Sequence, residues 1–288
     1  MERVLSLYLD ERRRANAEAG IGIFGAVVGV VKAAGWALHY AGKEAEIVGK
    51  GYHLVYNRAT EGPFCFSLRR CYLDKYFRIE ATNDRWDWDV AGLAFPGKPG
   101  KPGQAWFHRY WAERLLRGLT VSQGGYIFMP LQGKLLQRRH FQSASPVEMI
   151  QETLAADPTR RIVATLHPRE VYTAAEMEAL RGIERFDLVT GSLPWLAGCD
   201  YVVTQNSSLA LTGFFAGKPA VLFARIDFHH IAASVPRLGV AGAFDAVREP
   251  KPYADYLHWF FKKQALCEVG EDRDARILAR LRAHGWPL

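Results

Sequence analysis

The chain has 288 residues, 49% of them hydrophobic and 23% charged, an ordinary composition for one large or two small globular domains. Its formal net charge of +7 favours acidic partners such as phosphorylated ligands, nucleic acid or an anionic membrane surface. The four cysteines form no CxxC pair, which leaves no recognisable disulfide framework and favours a reducing compartment.

The first half begins with a strand–helix–strand pattern over residues 4–48. Within it lies an apolar segment, IGIFGAVVGVVKAAGWAL (21–38), that is nearly long enough to cross a membrane. However, Lys32 interrupts this segment and four glycines lower its hydrophobicity. We therefore expect a buried helix of a layered α/β domain, and the charged N-terminus does not indicate a secretory signal. The Gly/Pro/Lys segment 96–104 predicts a loop or the approach to a hinge, and residues 105–119 predict a basic amphipathic helix.

From about residue 120 onward, short apolar strands alternate with helices. Strands are predicted over 126–132, 160–168, 186–192, 199–205 and 219–224, and helices over 145–157, 173–183 and 207–216. The helix at 145 carries a clear start signal, since Ser145 is its cap, Pro146 its first residue and Glu148 follows three residues after the cap. This alternation predicts a parallel sheet covered on both faces, and an aromatic and a basic helix close the chain.

Polar side chains follow three of these strands at their carboxyl ends, where open parallel sheets bind ligands. They are Gln132, then His167 with Pro168, then Asn206 with Ser207 and Ser208. A helix that starts at Ser207 offers free backbone N–H groups and a partial positive charge, so the two serines predict a phosphate site. The alternative is that the serines only cap the helix, a contribution of about 1 kcal/mol, and that His167 is simply a satisfied histidine at a strand end.

Several familiar site motifs are missing from the sequence. It contains no GxxxxGK[ST] for a P-loop, no GxGxxG for a dinucleotide site and no GxSxG for a hydrolase nucleophile. It also lacks HExxH and any Cys/His set at zinc spacing. The basic helices carry no nucleic-acid motif and are explained as well by a solvated helix face, so nucleic acid is not an expected partner.

Three stretches in order, YIFMPLQ, ATLHPRE and DYVVTQNSSLALTGFFAGKP, resemble the bacterial capsular polysaccharide biosynthesis family, which includes Kdo transferases. The resemblance covers roughly residues 126–224 and implies a GT-B-like α/β fold without a metal or other cofactor. It implies a nucleotide-sugar-binding Rossmann-like domain over 121–288 and a smaller, reduced acceptor-side α/β domain over 1–120. The donor-binding residues it implies are Gln132, His167, Pro168, Asn206, Ser207, Ser208 and Lys218.

The implied activity is transfer of Kdo or a similar acidic sugar from a CMP-activated donor to a growing capsule or lipopolysaccharide glycan. His167 and the serine helix start would stabilise the phosphate of the departing CMP. The expected location is the cytoplasm, with peripheral association on the inner membrane as an open alternative. Two other functions stay open: a CDP-glycerol-type phosphotransferase, and an inactive glycan-binding protein of the same fold.

The sequence departs from the family pattern where Gly133 and Lys134 follow the first strand, since an acidic residue often stands there. That departure puts donor or acceptor contacts at this point in doubt. The second half offers no carboxylate at the three marked strand ends, and the resemblance to GT-B enzymes implies a catalytic base from the first half, where YFRIE resembles the family's apolar strand that closes on Glu. We predict Glu80 as this base, with Asp84 second and His167 as the other catalytic residue. The alternative is that the acids of this region are surface charges or turn residues.

Overall fold

The computed structural model describes residues 2–49, 51–97 and 102–288. The strands in these ranges are β1 Val4–Leu9, β2 Ala37–Gly42, β3 Tyr52–Tyr56, β4 Cys65–Arg70, β5 Tyr76–Glu80, β6 Tyr126–Pro130, β7 Arg161–Thr165, β8 Phe186–Val189, β9 Tyr201–Thr204, β10 Ala220–Leu222, β11 Ala233–Ser234 and β12 Leu266–Cys267. The α-helices are α1 Glu11–Glu18, α2 Gly22–Ala33, α3 Asp89–Gly92, α4 Pro102–Leu116, α5 Pro146–Ala156, α6 Ala174–Glu178, α7 Ser192–Gly198, α8 Ser208–Phe215, α9 Val235–Ala246, α10 Tyr253–His258 and α11 Arg273–Ala283.

The chain divides into two compact units, a first unit of Met1–Leu93 with Trp259–Leu288 and a second unit of Ala94–His258. The domains predicted from the sequence, 1–120 and 121–288, differ from these units at both ends. The C-terminal segment belongs to the first unit because β12 pairs with β5 and α11 packs against α2. Helix α4 belongs to the second unit because it packs against α8 and α10.

The first unit is built on a mixed six-stranded sheet with the strand order β12-β5-β4-β3-β1-β2. Strands β2, β1, β3 and β4 are parallel neighbours, while β5 runs antiparallel to both β4 and β12. Helix α2 buries eight of its residues in the core of this unit, so the apolar segment 21–38 forms the buried helix that the sequence predicted. No single helix in the described ranges is long and apolar enough to cross a membrane, although the bent pair α1–α2 meets the length and composition criteria.

The second unit contains an entirely parallel sheet with the order β11-β10-β9-β6-β7-β8. The first strand of this sheet along the chain, β6, lies in its middle, and the next two strands, β7 and β8, follow on one side. The chain then returns to place β9, β10 and β11 on the other side. This is the order of a doubly wound nucleotide-binding fold, in which the strand order reverses at one point, here between β6 and β9.

Most of the predicted elements of the second unit are present, with boundaries shifted by a few residues. The capping box of α5 is formed as predicted, because the Ser145 hydroxyl accepts from the Glu148 N–H and the Glu148 carboxylate accepts from the Ser145 N–H. Helix α6 is shorter than predicted, while α7 and β11 were not predicted. The predicted loop at 96–104 lies partly outside the described residues, and α4 already begins at Pro102. The predicted α/β class with a parallel sheet in the second half is confirmed.

Candidate active site at the carboxyl edge of the second sheet

The strand order of the second unit marks one position for a ligand. In doubly wound sheets the ligand binds outside the carboxyl ends of the two strands at which the order reverses. Here these are β6 and β9, which are direct neighbours and are further joined where the Thr204 hydroxyl donates to the Pro130 carbonyl at 2.9 Å. The residues that follow Pro130 and Thr204 therefore form the walls of the candidate site.

Three of the predicted site residues lie at the same level of this edge. Pro130 pairs with Thr165 in the sheet, and Gln132 and His167 each come two residues later. Asn206 likewise stands two residues beyond the end of β9. Because neighbouring strands are about 4.8 Å apart, the ends of β9, β6 and β7 span roughly 10 Å, the width of a small ligand. The structure thus brings together residues that are up to 74 positions apart in sequence.

Helix α8 begins directly at this edge, and its two serines have different surroundings. Ser207 is the N-cap, and its hydroxyl accepts a hydrogen bond from the Leu209 N–H at 3.3 Å. The capping interpretation therefore applies to Ser207. Ser208 is the first residue of the helix and is exposed, and its hydroxyl makes no hydrogen bond to another described residue. Ser208 is therefore the serine whose side chain is available to a ligand.

His167 is half-buried and held by its own loop. Its backbone N–H donates to the Tyr172 hydroxyl at 2.8 Å, and its Nδ1 accepts from the Arg169 N–H at 3.3 Å. A neutral imidazole that accepts at Nδ1 carries its proton at Nε2. The ring is therefore set up to donate from Nε2, the role expected of a group that binds a phosphate oxygen. Pro168 is exposed beside it and fixes the start of the loop.

The loop after β6 brings cations and unsatisfied buried atoms to this edge. Arg139 donates to the Gln132 side-chain oxygen at 3.2 Å, and burial lowers the pKa of its guanidinium, which nevertheless stays charged at neutral pH. Three buried polar atoms lack a hydrogen-bond partner among the described residues: Arg139 Nε, Gln142 Nε2 and Gln205 Oε1. All three belong to segments that follow strands of the second sheet, so they are groups that a ligand bound at this edge can satisfy.

Glu170 is a carboxylate of this edge that the sequence analysis missed. It lies three residues after His167, and it occupies the space beside Gly133, where an added Cβ atom would collide with its carboxylate. It also acts electrostatically on Arg139. The sequence has glycine at 133, where the resembled family often has an acid, yet a carboxylate reaches the same place from the neighbouring strand. The ATLHPRE stretch contained this residue, but only the sheet order relates it to Gly133.

The segment after β10 adds two further groups that were not predicted. Asp227 is fully buried, and His229 is half-buried with its Nδ1 at 2.7 Å from the Ile226 carbonyl oxygen. Burial lowers the pKa of His229, which favours the neutral imidazole. Both residues follow a strand on the far side of β9 from β6. Their signal in the sequence was a cluster of polar residues after a predicted strand, in RIDFHH.

Lys218 does not belong to this group of residues, which corrects its predicted role in donor binding. It lies just before β10, at the amino edge of the sheet, and is only 4% exposed. Its Nζ donates to the Ser122 carbonyl and, at 2.6 Å, to the Cys199 carbonyl, which precede β6 and β9. Lys218 therefore ties the starts of two strands together, on the opposite edge from the ends that carry His167 and Ser208.

Glu80, the predicted base, lies at the end of β5 in the first unit and is 1% exposed. Its carboxylate pairs with Arg280 at 2.8 Å, lies 3.8 Å from Arg78, and accepts the Asp89 N–H at 3.0 Å. Burial raises its pKa, and the two arginines oppose this. A base must reach the acceptor hydroxyl, so these closed surroundings argue for a structural role and against the prediction.

Asp84 is exposed just before a short 3₁₀ turn, Arg85–Asp87. Its backbone N–H donates to the Thr82 hydroxyl, while its carboxylate makes no hydrogen bond or ion pair to another described residue. It thus has the access that Glu80 lacks, and its role as a base stays a prediction. In the described ranges no group of three or more His, Cys, Asp or Glu side chains is placed to hold a metal ion.

Comparison with known proteins places this geometry in a known fold. No protein-family model and no curated protein matches the chain. Among solved structures, Thermosulfurimonas dismutans KpsC, a β-Kdo 2,7-transferase, has a TM-score of 0.55 at 11% identity, covering 89% of both chains. The β-Kdo 2,4-transferase structure of T. dismutans KpsC gives 0.49 at 11% identity over the same shares. E. coli heptosyltransferase WaaC with ADP gives 0.28 at 20% identity over 46% of this chain and 39% of that chain.

The likeness to the 2,7-transferase extends over nearly the whole of both chains, and at this identity it is a likeness of fold. The resemblance predicted from the sequence is confirmed at that level, and the protein has a glycosyltransferase-like fold. The sequence resemblance covered only residues 126–224, so the structural match adds the first unit to it.

Proposed function

We propose that this protein is a glycosyltransferase that transfers Kdo or a similar acidic sugar from a CMP-activated donor to a capsule or lipopolysaccharide glycan. The observation that carries the proposal is the start of α8 at the reversal point between β6 and β9, with the free Ser208 hydroxyl beside it. A helix start at this position is a built-in site for a phosphate group. The Kdo transferase fold supports the choice of sugar class.

In this mechanism the nucleotide phosphate gains charge as the bond between CMP and the sugar breaks. The Ser208 hydroxyl, the positive end of α8 and His167 Nε2–H donate toward that charge, which lowers the barrier without a metal ion. Arg139 and the other cations of the loop after β6 favour an anionic donor. Glu170 is the carboxylate of this edge and could accept a proton from a bound hydroxyl, a role for which Asp84 of the first unit is the alternative.

The proposed partners are the nucleotide-sugar donor and a glycan or glycolipid acceptor, with no cofactor. The proposed location is the cytoplasm, with peripheral contact to the membrane that holds the acceptor. One observation favours a second candidate, a glycan-binding protein without turnover. The carboxylate predicted as the catalytic base is closed off in ion pairs, as expected if the first unit no longer served catalysis.

The test combines nucleotide binding with donor hydrolysis. Calorimetry should show CMP binding, and the protein should release CMP from CMP-Kdo. His167→Ala should weaken binding or turnover by several-fold to a hundredfold, which corresponds to about 1–3 kcal/mol for one polar partner. His39→Ala, at an exposed histidine of β2, is the matched control and should change neither.

Three other outcomes separate the alternatives. CMP release from CDP-glycerol alone would identify a phosphotransferase, and CMP binding without release from either donor would identify the binding protein. CMP affinity that is unchanged in both His167→Ala and a Ser207→Ala/Ser208→Ala double variant would place the nucleotide elsewhere.

A further inference from the structure

Helix α4 carries a row of exposed aromatic and basic side chains that the proposed active site does not use. Trp106 and Tyr110 are 56% and 38% exposed, and their rings stack with centroids 5.2 Å apart and planes 19° apart. The Arg114 guanidinium lies over the Tyr110 ring at 5.3 Å. These residues follow each other at intervals of four, so they form one continuous row along the outside of the helix.

The charge on this exposed face is predominantly positive. Arg109 on the helix and Arg117, directly after its last residue, are also exposed, and Glu113 is the one acidic residue of α4. None of Arg109, Arg114 and Arg117 forms an ion pair with a described residue. The inward face of α4 is occupied by other side chains, among them the buried Phe107 and Leu116, and it packs against α8 and α10. Trp106 and Tyr110 are therefore not needed for the core of the second unit.

We infer that this exposed face of α4 docks the protein on an anionic lipid bilayer, with the two rings at the level of the headgroups and the arginines on lipid phosphates. Tryptophan and tyrosine favour this depth because their rings are apolar and their edges polar. Arginines beside them supply attraction to anionic lipid. At 15 residues α4 is about 22 Å long, which suits a helix that lies in the interface.

The shape of the surface favours a bilayer over an acidic glycan or a nucleic acid strand. The row lies on the outward, convex face of a single helix, whereas smaller ligands are held in concave clefts. A bilayer offers a flat, extended anionic surface that can contact rings and arginines along the helix together. The inference rests on α4 alone and does not depend on the proposed transferase activity.

The test is sedimentation of the full chain with vesicles of phosphatidylcholine, alone or mixed with a third of phosphatidylglycerol. Binding is expected to the mixed vesicles and to fall with added salt. Arg109→Gln/Arg114→Gln should weaken it about 25-fold, at about fivefold for each arginine near the surface. Trp106→Ser/Tyr110→Ser should weaken it by roughly tenfold, because the exposed parts of the two rings together amount to about one large apolar side chain withdrawn from lipid.

The matched control is Arg161→Gln/Arg181→Gln, which removes the same charge from two exposed arginines of the same unit and should keep vesicle affinity within twofold. Calorimetry with CMP and thermal unfolding on every variant separate a docking defect from loss of the nucleotide site or of the fold. Failure of the wild-type protein to bind the mixed vesicles would overturn the inference. It would also be overturned if the control variant lost as much affinity as the α4 variants, or if soluble heparin bound more tightly than the vesicles through the same residues.

Discussion

Both edges of the second sheet carry polar residues, but these residues differ in whether their hydrogen bonds are satisfied within the protein. At the carboxyl edge, the Ser208 hydroxyl makes no hydrogen bond to a described residue, His167 accepts only at Nδ1, and Gln205 has a buried oxygen without a partner. At the amino edge, Lys218 and Asp157 are buried and hydrogen-bonded within the protein. A polar residue of this unit therefore indicates a ligand site only under two conditions. It must lie at the carboxyl edge of the sheet, and its polar atoms must lack hydrogen-bond partners within the protein.

The side chains of the amino edge form a hydrogen-bonded network. Asp157, which is 3% exposed, accepts hydrogen bonds from the Tyr201 hydroxyl at 2.8 Å and from Thr159 at 2.9 Å. Arg160 bridges Asp157 and Asp200, at 2.9 and 2.7 Å. These contacts join the starts of β7 and β9 through side chains, as Lys218 joins the starts of β6 and β9. The network thus holds the strand starts in register while the strand ends remain free for chemistry.

The largest effect that would test this contrast is expected from Lys218→Met. The substitution keeps the apolar stem and leaves the Ser122 and Cys199 carbonyls without their donor. The buried Cys199 carbonyl is the main loss, because one buried group left unsatisfied costs up to about 3 kcal/mol, whereas the carbonyl of the exposed Ser122 can be hydrated. We therefore expect a loss of about 3 kcal/mol in the free energy of unfolding. CMP affinity should stay within twofold, because the site is at the other edge.

Denaturant unfolding of the full chain and calorimetry with CMP measure the two quantities. Lys262→Met, at an exposed lysine, serves as the control and should change stability by less than about 0.5 kcal/mol. A stable Lys218→Met variant with strongly weakened CMP binding would restore Lys218 to the donor site and end the distinction between the edges.

The second effect concerns the dependence of stability on pH. Burial alone would raise the pKa of Asp157, but hydrogen bonds from Tyr201, Thr159 and Arg160 outweigh it and hold the pKa well below its usual range. A carboxylate with a lowered pKa stabilises the fold above its unfolded pKa, and this contribution is lost as the pH falls toward the folded value. A paired aspartate of this kind contributes about 2.6 kcal/mol at neutral pH.

The wild-type protein should therefore be about 2.6 kcal/mol more stable than Asp157→Asn at pH 7, and the difference should shrink steadily below about pH 5. Unfolding free energies over pH 3–7 provide the measurement. Asp187→Asn removes a half-exposed carboxylate that pairs with Arg161 at the surface, and its curve should follow the wild type. A difference that does not change with pH would show that the charge of Asp157 is not what stabilises this edge.

The strand ends were predictable from the sequence because each depends on a local pattern, an apolar run followed by polar residues. Gln132, His167 and Asn206 were therefore found, although only the strand order shows that β6 lies between β7 and β9. The same topology explains the misplaced lysine. A residue between a helix and the following parallel strand lies at the amino edge, so Lys218 could not join the residues that follow strands.

Contacts between distant parts of the chain could not be predicted from local patterns. Glu80 has the sequence context of a strand end, but its partner Arg280 is 200 positions away, on a helix assigned to the other domain. Strand β12 is only two residues long, too short to signal its pairing with β5. The burial of Glu80 and the return of the C-terminus to the first unit therefore come from the same long-range packing.

The smallest effects are expected from the two serines at the start of α8, which should differ in whether their loss lowers stability or CMP affinity. Ser207 caps the helix, so Ser207→Ala should cost about 1 kcal/mol of stability and leave CMP affinity within twofold. Ser208 has a free hydroxyl, so Ser208→Ala should leave stability unchanged and weaken CMP about tenfold, since a hydrogen bond to a charged group contributes about 1.5 kcal/mol or more. Ser145→Ala, at the cap of α5, is the control for capping alone and should resemble Ser207→Ala.

Calorimetry and unfolding on the three variants decide between a cap and a phosphate site. If Ser207→Ala weakened CMP binding while Ser208→Ala did not, the two roles would be reversed, and unchanged affinity in both would mean that the helix start is only capped.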